Sequence, residues 1–390
     1  MKKFRKVTSL VLCVLIVAVM VAGCGSSKNV DTGSEGNAVK TYKIGLLAPI
    51  TGTNAEYGKG FEIATKMAAD EINAKGDIKI ELIVKDSKGD PKESADLARQ
   101  FADDESIMAI IGDFTSSASM ANAPIIDEAG LVQLSPTASH PDYAAMSKFA
   151  FSIMGRQDGE APFFSTYLLK KYAGAENIGL IWVNSDWGKA ARDNLKAQAE
   201  KDSLNIVADV NYIADEKDFS SLIAKLRSAN PDHIVIMDQG AVPAIINQIA
   251  QTGWNNVGIT TLGPGTSAQI LSLAGKNAEG LLLTTPFFID DSNQEAKAWA
   301  DNFTTAAGFA PTVHPAVAYD TVYLLEAAIK NSGENVTRES IRENLQNLKD
   351  FVGLTGPIAF NKDGDVTRKY LVIAVEGGAF VKKTDYDYTD

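Results

Sequence analysis

The residues best suited to bind a small molecule lie in short segments that follow predicted β-strands. These segments are rich in Ser, Thr, Gly, Tyr and Trp, carry few charges, and cover residues 49–58, 113–117, 135–139, 184–188, 238–240 and 263–267. Hydroxyl groups and the free N–H groups at helix starts suit the polar end of a ligand, and aromatic side chains suit its apolar part. The pattern therefore favours a binding site for a small, partly apolar molecule.

Side chains that could support catalysis or bind a metal form no recognisable motif. The sequence contains neither the G-x-x-x-x-G-K-[ST] phosphate loop nor the G-x-S-x-G turn of serine hydrolases. His140, His233 and His314 are too far apart in the sequence for metal-ligand spacing. We interpret His233, inside an apolar strand, as a core residue with satisfied polar atoms, whereas His140 lies beside a candidate segment. We therefore predict no enzyme, no metal site and no cofactor.

Strands and helices alternate along the chain, as they do in parallel α/β sheets. Strands are predicted over residues 42–47, 78–84, 108–111, 131–134, 178–183, 205–210, 233–237 and 259–262. Helices are predicted over residues 60–75, 91–103, 116–128, 188–201, 219–228 and 241–252. Because this rhythm breaks near residues 140–160, we predict an α/β protein with two doubly wound parallel-sheet lobes. Ligands bind at the carboxyl ends of the strands in such sheets, which is where the candidate segments lie.

Length and charge exclude several classes of protein. The chain has 390 residues, which favours two domains over one, and its 45% of apolar residues is enough for a buried core. A net charge of −12 and a pI near 4.9 argue against a general nucleic-acid binder, which needs a basic surface. No apolar stretch of 18 or more residues follows residue 24, as a membrane-spanning receptor would require.

The first 23 residues have the composition of an export signal. Four basic residues, Lys2, Lys3, Arg5 and Lys6, precede an apolar stretch of 12 residues, 10–21, which is too short to span a bilayer. Val21-Ala22-Gly23-Cys24 resembles the bacterial lipobox, whose cysteine receives two acyl chains, enough for a stable anchor. We predict a lipoprotein signal peptide over 1–23, lipidation of Cys24 and a flexible tether over 24–40. The alternative is an ordinary signal peptide with a chance cysteine.

The order of short motifs between residues 41 and 381 resembles a known family. The motifs are Ile44-Gly45-Leu46-Leu47, Thr51-Gly52, Tyr57-Gly58, the segment 70–76, Asp86, Asp90-Pro91, Ile110-Ile111-Gly112, Ser116-Ser117, the segment 135–139, Asp218-Phe219-Ser220, Ala318-Tyr319-Asp320, Gly356, Phe360 and Asp363-Gly364-Asp365. In this order they resemble the solute-binding proteins of ABC importers in the branched-chain or hydrophobic amino acid class, which have the type I periplasmic-binding fold. Enzymes and regulators share that fold, so the fold alone does not determine function.

The resemblance implies two lobes that are joined by three crossovers and close on a ligand about a hinge. The first lobe would comprise residues 41–153 and 288–360, and the second 154–287 and 361–390. Membrane subunits of an ABC importer would recognise the closed protein. We therefore expect a monomer on the outer face of the bacterial cytoplasmic membrane, held by its lipid anchor, that transforms nothing chemically and binds no nucleic acid.

Several binding positions carry over from the family one at a time. Tyr57 matches an aromatic residue in the first loop, and Trp187 matches an aromatic residue that covers the ligand from the second lobe. An aromatic residue between Asp and Gly at a strand end is expected to be exposed in a cleft, although a core role for Trp187 stays open. The positions that match carboxylate-binding hydroxyl and N–H groups are Ser116, Ser117, Thr137 and Ser139.

Two departures from the family pattern bear on the cargo. Relatives with a first-lobe disulfide have cysteines where this chain has Gly89 and Thr115. The acid that binds the ligand ammonium in the family is Gly265 here, and an unpaired buried ammonium is costly. Asp238 is the nearest substitute, and Gln239 beside it could accept one hydrogen bond.

Three functions therefore stay open for this sequence. The first is an importer-linked binding lipoprotein for a hydrophobic amino acid. The second is the same role with an aromatic or aliphatic carboxylate or an amide as cargo. The third is a membrane-tethered enzyme or receptor ectodomain, which would need the catalytic groups or the membrane span discussed above.

Overall fold

The computed structural model describes residues 39–290 and 292–389. The predicted signal peptide, Cys24 and the tether as far as residue 38 lie outside these residues. Within the described part of the chain, no helix combines the length and the apolar character that a bilayer span requires.

The first sheet has five parallel strands in the order β2-β1-β3-β4-β5. Its strands are β1 (Thr41–Ala48), β2 (Lys79–Asp86), β3 (Ile107–Ile111), β4 (Val132–Ser135) and β5 (Ala150–Ser152). The helices that connect β1 to β4 are α1 (Ala55–Lys75), α2 (Pro91–Asp103) and α3 (Ser116–Ala129). This strand order, with β1 between β2 and β3, is that of a doubly wound sheet.

The predicted start of the first helix at residue 60 is wrong, because α1 begins at Ala55. Its first turn carries Glu56, a favourable charge at a helix N-terminus, and the buried Tyr57 and Gly58. The apolar face that predicted the helix becomes continuous only from Phe61 onward. The predicted loop over 49–58 is therefore a loop only as far as residue 54.

The second sheet has seven strands and is parallel except at one edge. The parallel strands are β6 (Asn177–Val183), β7 (Asn205–Tyr212), β8 (His233–Met237), β9 (Gly258–Thr261) and β10 (Leu282–Thr285). A separate hairpin consists of β11 (Phe351–Gly353) and β12 (Gly356–Ile358). The antiparallel strands β13 (Leu371–Glu376) and β14 (Ala379–Lys382) then complete the second sheet beside β10.

In the described part of the chain, seven further α-helices cover the sheets or connect them. They are α4 (Gln157–Pro162), α5 (Asp186–Asp202), α6 (Ser220–Ser228), α7 (Val242–Gln251), α8 (Gln294–Ala307), α9 (Val313–Asn331) and α10 (Arg338–Gln346). A π-helical segment, Phe163–Tyr172, continues α4. Short helical turns occur at Ala144–Met146, Gly263–Gly265, Ile270–Ala274 and Gly275–Ala278.

Each sheet has its own hydrophobic core, and we call each sheet with its core a lobe. The first-lobe core is formed by residues between 44 and 154 and between 287 and 366. The second-lobe core is formed by residues between 164 and 283 and between 371 and 375. The predicted α/β class with parallel sheets is confirmed, and the antiparallel edge of the second sheet is an addition that the sequence pattern did not predict.

Candidate functional site

A cavity of about 710 Å³ lies between the carboxyl ends of the two sheets. The first lobe lines it with the segments after β1, β2 and β3, at residues 52–54, 88–91, 115 and 117. The second lobe lines it with the segments after β6, β7 and β8, at residues 183–187, 189, 212, 214–217, 238–241 and 244. The predicted site residues that line this cavity are Ser117, Trp187, Asp238 and Gln239.

The other predicted residues, Tyr57, Ser116, Thr137, Ser139 and Gly265, are buried and are not part of the cavity lining. Tyr57 stacks on Phe114 with ring centroids 4.3 Å apart. Its hydroxyl donates to the backbone oxygen of Gln239, 3.1 Å away on the second lobe. Tyr57 therefore links the lobes at the edge of the cavity.

Two of the predicted hydroxyl groups already have partners within the first lobe. Ser116 Oγ accepts hydrogen bonds from the backbone N–H groups of Ser139 and His140, both at 3.2 Å. Thr137 Oγ1 donates to the oxygen of Phe114 at 2.7 Å. These bonds hold the segment after β4 against the start of α3. Ser117 at that helix start is the residue of this group that lines the cavity.

The expectation that Trp187 is exposed in the cleft is wrong, because its side chain is only 3% exposed. Its indole Nε1 donates to Ser139 Oγ on the first lobe at 3.0 Å. Its backbone oxygen accepts from Gln157 Nε2, also at 3.0 Å. The ring lines the cavity and also belongs to the second-lobe core, so the two roles weighed for it coexist.

Each of the two predicted aromatic residues precedes a glycine in the first turn of its helix. A Cβ atom on Gly58 would lie 2.2 Å from the oxygen of Pro49, and one on Gly188 would lie 1.9 Å from the oxygen of Val183. Glycine permits this close approach of the helix to the end of the preceding strand. The aromatic–glycine pairs thereby position a ring at the end of β1 and of β6.

Asp238 is a buried acid on the cavity wall, at the end of β8. It is 7% exposed and accepts hydrogen bonds from the Tyr212 hydroxyl at 2.7 Å and from the Ala241 N–H at 2.8 Å. Burial raises the pKa of Asp238, although these hydrogen bonds oppose the change. A carboxylate held by neutral donors in a dry site can pair with a cation. Tyr212 was missed by the sequence analysis because β7 extends beyond its predicted end at residue 210.

Gly265 lies in the helical turn Gly263–Gly265 and has no room for a side chain. A Cβ atom there would lie 2.4 Å from Thr261 Oγ1 and 2.8 Å from Thr261 Cγ2. An acidic side chain at this position would therefore have to displace the buried Thr261. A different acid contacts this turn: Glu160 accepts hydrogen bonds from the Gly263 N–H at 3.1 Å and from the Thr284 hydroxyl.

The carboxylate of Glu56, on the first lobe, contacts three consecutive residues of the second lobe. It accepts hydrogen bonds from Ser267 Oγ at 2.7 Å, Ala268 N at 2.8 Å and Gln269 N at 3.2 Å. At the cavity rim, Thr53 Oγ1 donates to Asp215 at 2.7 Å, again between lobes. Neither contact was predicted, because the partners are more than 160 residues apart and no local pattern joins them.

His233 and His140, the two histidines interpreted from the sequence, differ in detail from what was expected. His233 is buried in β8, as predicted, but its Nε2 has no hydrogen-bond partner among the described residues. Burial lowers its pKa to about 4. His140 does not line the cavity, and its Nδ1 accepts from the Asp142 N–H at 3.1 Å.

Comparisons with known sequences agree on one family. The family described as periplasmic binding protein matches residues 41–379. Leu/Ile/Val-binding protein homolog 1 of Brucella suis is 29% identical over 338 residues, covering 85% of this chain and 89% of that protein. The leucine-, isoleucine-, valine-, threonine-, and alanine-binding protein of Pseudomonas aeruginosa is 25% identical over 334 residues, covering 84% and 88%.

Solved structures give the same result for the fold. The branched-chain amino acid transporter substrate binding protein LivJ of Streptococcus pneumoniae, in complex with isoleucine, has a TM-score of 0.81 and 25% identity. The match covers 88% of this chain and all of that one. A solute binding protein from R. palustris in complex with benzoate also has a TM-score of 0.81, covering 88% and 95%. At 21% identity, this second likeness shows the fold alone.

Proposed function

This chain belongs to the periplasmic binding protein family, and we propose that it captures a small hydrophobic amino acid between its lobes and delivers it to an ABC importer. The observation that carries the proposal is the cavity of about 710 Å³ that both lobes line. A volume of this order suits a small molecule. The relatives named for leucine, isoleucine and valine supply the class of cargo.

The proposed binding mode follows from the charges of the site. The ligand carboxylate would meet the start of α3, where Ser117 lines the cavity and helix-start N–H groups favour an anion, with the buried Ser116 hydroxyl as a further donor. The ammonium would pair with Asp238, whose described hydrogen-bond donors are neutral. Trp187 would cover the apolar side chain from the second lobe.

The alternative cargo is an aromatic or aliphatic carboxylate or an amide. The observation that favours it is the absence of a side chain at Gly265, where Thr261 also blocks an acid. A cargo without an ammonium would need the carboxylate site alone. The two cargo classes therefore differ in their dependence on Asp238.

The remaining parts of the proposal concern location and organisation. We propose that the protein is exported, lipid-anchored through Cys24 and monomeric, and that it acts as a binding protein rather than an enzyme. We also propose the lobe bounds given by the resemblance, 41–153 with 288–360 and 154–287 with 361–390. The separate cores of the two sheets support a division near these bounds, and Met154, Phe287 and Val366 pack in the first core although the bounds assign them to the second lobe.

Calorimetry with matched ligands tests the proposed cargo. Leucine, valine and phenylalanine should bind the native protein, and their deaminated analogues should bind at least about tenfold more weakly because they lack the ammonium. Heat with the deaminated acids and none with any amino acid would favour the alternative. Binding should also raise the melting temperature by mass action.

A further inference from the structure

The Asp238 carboxylate has a single side-chain donor among the residues that the structure describes, and that donor is Tyr212. The Tyr212 hydroxyl donates to Asp238 Oδ2 at 2.7 Å, and the Ala241 N–H donates to Oδ1 at 2.8 Å. Tyr212 is 6% exposed and Asp238 is 7% exposed, and both line the cavity between the lobes. The hydrogen-bonded pair therefore borders the space in which the cargo is proposed to bind.

The strand order explains how a tyrosine at position 212 reaches Asp238. Tyr212 is the last residue of β7, and Asp238 directly follows β8. Strand β6 lies between β7 and β8, and its last residue, Val183, pairs with Tyr212. Adjacent strands are about 4.8 Å apart, so the tyrosine side chain spans the end of β6 to place its hydroxyl on the carboxylate. The Tyr212 ring packs edge-on against Phe219, with centroids 4.8 Å apart. A phenylalanine at position 212 would keep this packing and lose only the hydroxyl.

The hydrogen bond from Tyr212 favours the ionised form of Asp238. Burial raises the pKa of this carboxyl, and the hydrogen bonds from Ala241 and Tyr212 oppose the change, because hydrogen bonds donated to a carboxylate stabilise its charged form. The Ala241 donor is a backbone group, which no substitution at position 212 removes. Both donors belong to the second lobe, so these bonds hold the carboxylate without a contact from the first lobe.

The charged groups around Asp238 do not take the place of this bond. The principal causes of its raised pKa are burial and the opposing hydrogen bonds, and none of them is a charged side chain. Tyr57 on the first lobe stays neutral, because burial and the charges of Glu56 and Asp238 raise its pKa well above the ordinary value. The other charged residues of the cavity lining are Lys88, Asp90, Asp186, Lys189 and residues 215–217.

We infer that Tyr212 is a positioning residue, which keeps the Asp238 carboxylate ionised and oriented for the ammonium of the cargo and so determines the preference for amino acids over their deaminated analogues. The inference rests on the proposed function, because it needs Asp238 as the partner of an ammonium. It gives a second residue of this chain a part in the selectivity that Gly265, which has no side chain, cannot supply.

A matched pair of tyrosine variants tests the inference. Tyr212→Phe removes the hydroxyl that donates to Asp238. Tyr323→Phe is the control, because the Tyr323 hydroxyl also donates to a carboxylate, Glu71 Oε2 at 2.6 Å, but lies outside the cavity lining. Calorimetry on the full chain compares valine with isovalerate, which lacks the ammonium.

The affinity for valine should fall roughly tenfold in Tyr212→Phe near neutral pH, the size expected for one hydrogen bond to a charged group. The affinity for isovalerate should change by less than about twofold, and Tyr323→Phe should bind both ligands as the native protein does. As the pH is lowered, valine binding should be lost at a higher pH in Tyr212→Phe than in the native protein, because the carboxylate is protonated more easily. If both ligands weaken equally in Tyr212→Phe, the role of Tyr212 is merely structural and the inference is wrong.

The ligand-free protein separates this inference from the proposed cargo. Carboxyl-carbon NMR follows the titration of Asp238, whose resonance is identified by its absence in Asp238→Asn. The resonance should titrate at a higher pH in Tyr212→Phe and should be unchanged in Tyr323→Phe. If valine binds and the valine–isovalerate affinity ratio is the same in Tyr212→Phe as in the native protein, the inference is wrong and the proposed function stands. If isovalerate binds and valine does not, the amino acid cargo is wrong, and a shifted resonance still confirms that Tyr212 holds the carboxylate.

Discussion

Trp187 Nε1 lies 3.0 Å from Ser139 Oγ, and this hydrogen bond joins the second lobe to the first. The indole therefore contributes to three things at once: the second-lobe core, the cavity wall and the contact between lobes. Truncation to alanine would remove all three and would cost stability as well as binding, since loss of a buried aromatic side chain costs about 3–5 kcal/mol. A more conservative change separates these effects.

We expect Trp187→Phe to weaken cargo binding by about 0.5–1.5 kcal/mol, the net value of one hydrogen bond, and to lower the melting temperature no more than Trp182→Phe does. Trp182→Phe is the matched control, because its Nε1 donates to Asp209 at 2.7 Å within the second lobe. That variant should change stability and leave affinity unchanged. Calorimetry and thermal unfolding of both proteins test this, and equal affinity losses would contradict a role for the bond between lobes.

We expect Glu56→Gln to favour separation of the lobes. A carboxylate that accepts three hydrogen bonds is replaced by an amide whose single oxygen is neutral, so that charge-assisted bonds to Ser267 and its neighbours are lost. The dissociation constant should rise by about fivefold to fiftyfold, equivalent to roughly 1–2.5 kcal/mol. A double-mutant cycle with Ser267→Ala should give a coupling energy above about 0.5 kcal/mol. Small-angle scattering should show a larger radius of gyration, and additive effects in the cycle would exclude direct coupling.

We expect Asp238→Asn to weaken amino acid binding by about 2–5 kcal/mol, the usual result of removing one partner from a buried charge pair. Burial raises the pKa of Asp238 above its ordinary value, and the ammonium pairs only with the ionised form. Amino acid affinity of the native protein should therefore fall as the pH falls through this raised pKa. The variant should show no such dependence.

Asp209→Asn is the control for this substitution, because Asp209 is paired with Arg192 and Lys196 outside the cavity lining. It should leave affinity unchanged. Amino acid affinity that is the same in Asp238→Asn and in the native protein would favour the carboxylate or amide cargo.

We expect Asp365 to make stability depend on pH near neutrality. Its Oδ2 is buried and has no hydrogen-bond partner among the described residues, and Arg156 Nη1 lies 3.7 Å away. Burial raises the pKa of Asp365 to about 7, from 3.8 for the ordinary side chain. Between pH 3.8 and about 7, the folded protein therefore keeps a proton on Asp365 that the unfolded chain has released. The stabilisation that results from this stronger proton binding is complete below pH 3.8 and is lost as the pH rises through about 7.

The contribution is at most about 4 kcal/mol, because each pKa unit corresponds to about 1.4 kcal/mol. The difference in unfolding free energy between the native protein and Asp365→Asn, measured by denaturant titration from pH 5 to pH 8, isolates it. The native protein should lose stability relative to the variant as the pH rises. Asp363→Asn, at a more exposed neighbour, should keep a pH dependence close to the native one, because the Asp363 charge is only a minor cause of the raised pKa of Asp365. A pH-independent difference for Asp365→Asn would refute the prediction.

We expect Cys24→Ser to release the protein from the membrane. The change removes the thiol that would carry the acyl chains, and a stable anchor needs two such chains. Fractionation of cells that express each form should find the variant in the soluble extract. Firm membrane association of the variant would exclude Cys24 as the anchor.

Much of the fold could be predicted from the sequence, because its physical causes are local. Continuous apolar runs such as residues 108–111 and 233–237 are typical of strands that are covered on both faces, and both became central strands. The placement of polar segments after those strands followed from the rule that strand ends meet at one edge of a parallel sheet. Ser117, Trp187, Asp238 and Gln239 reach the cavity for that reason.

Contacts between the lobes were decided by tertiary structure alone. Glu56 and Ser267 are separated by 211 residues, and nothing in the sequence near either one specifies that they meet. The hydrogen bond of the Trp187 indole has the same cause, since its acceptor, Ser139, belongs to the other lobe. The local residue pattern determined which side chains lie at the strand ends. The packing of the two lobes against each other determined which of those side chains become buried or hydrogen-bonded.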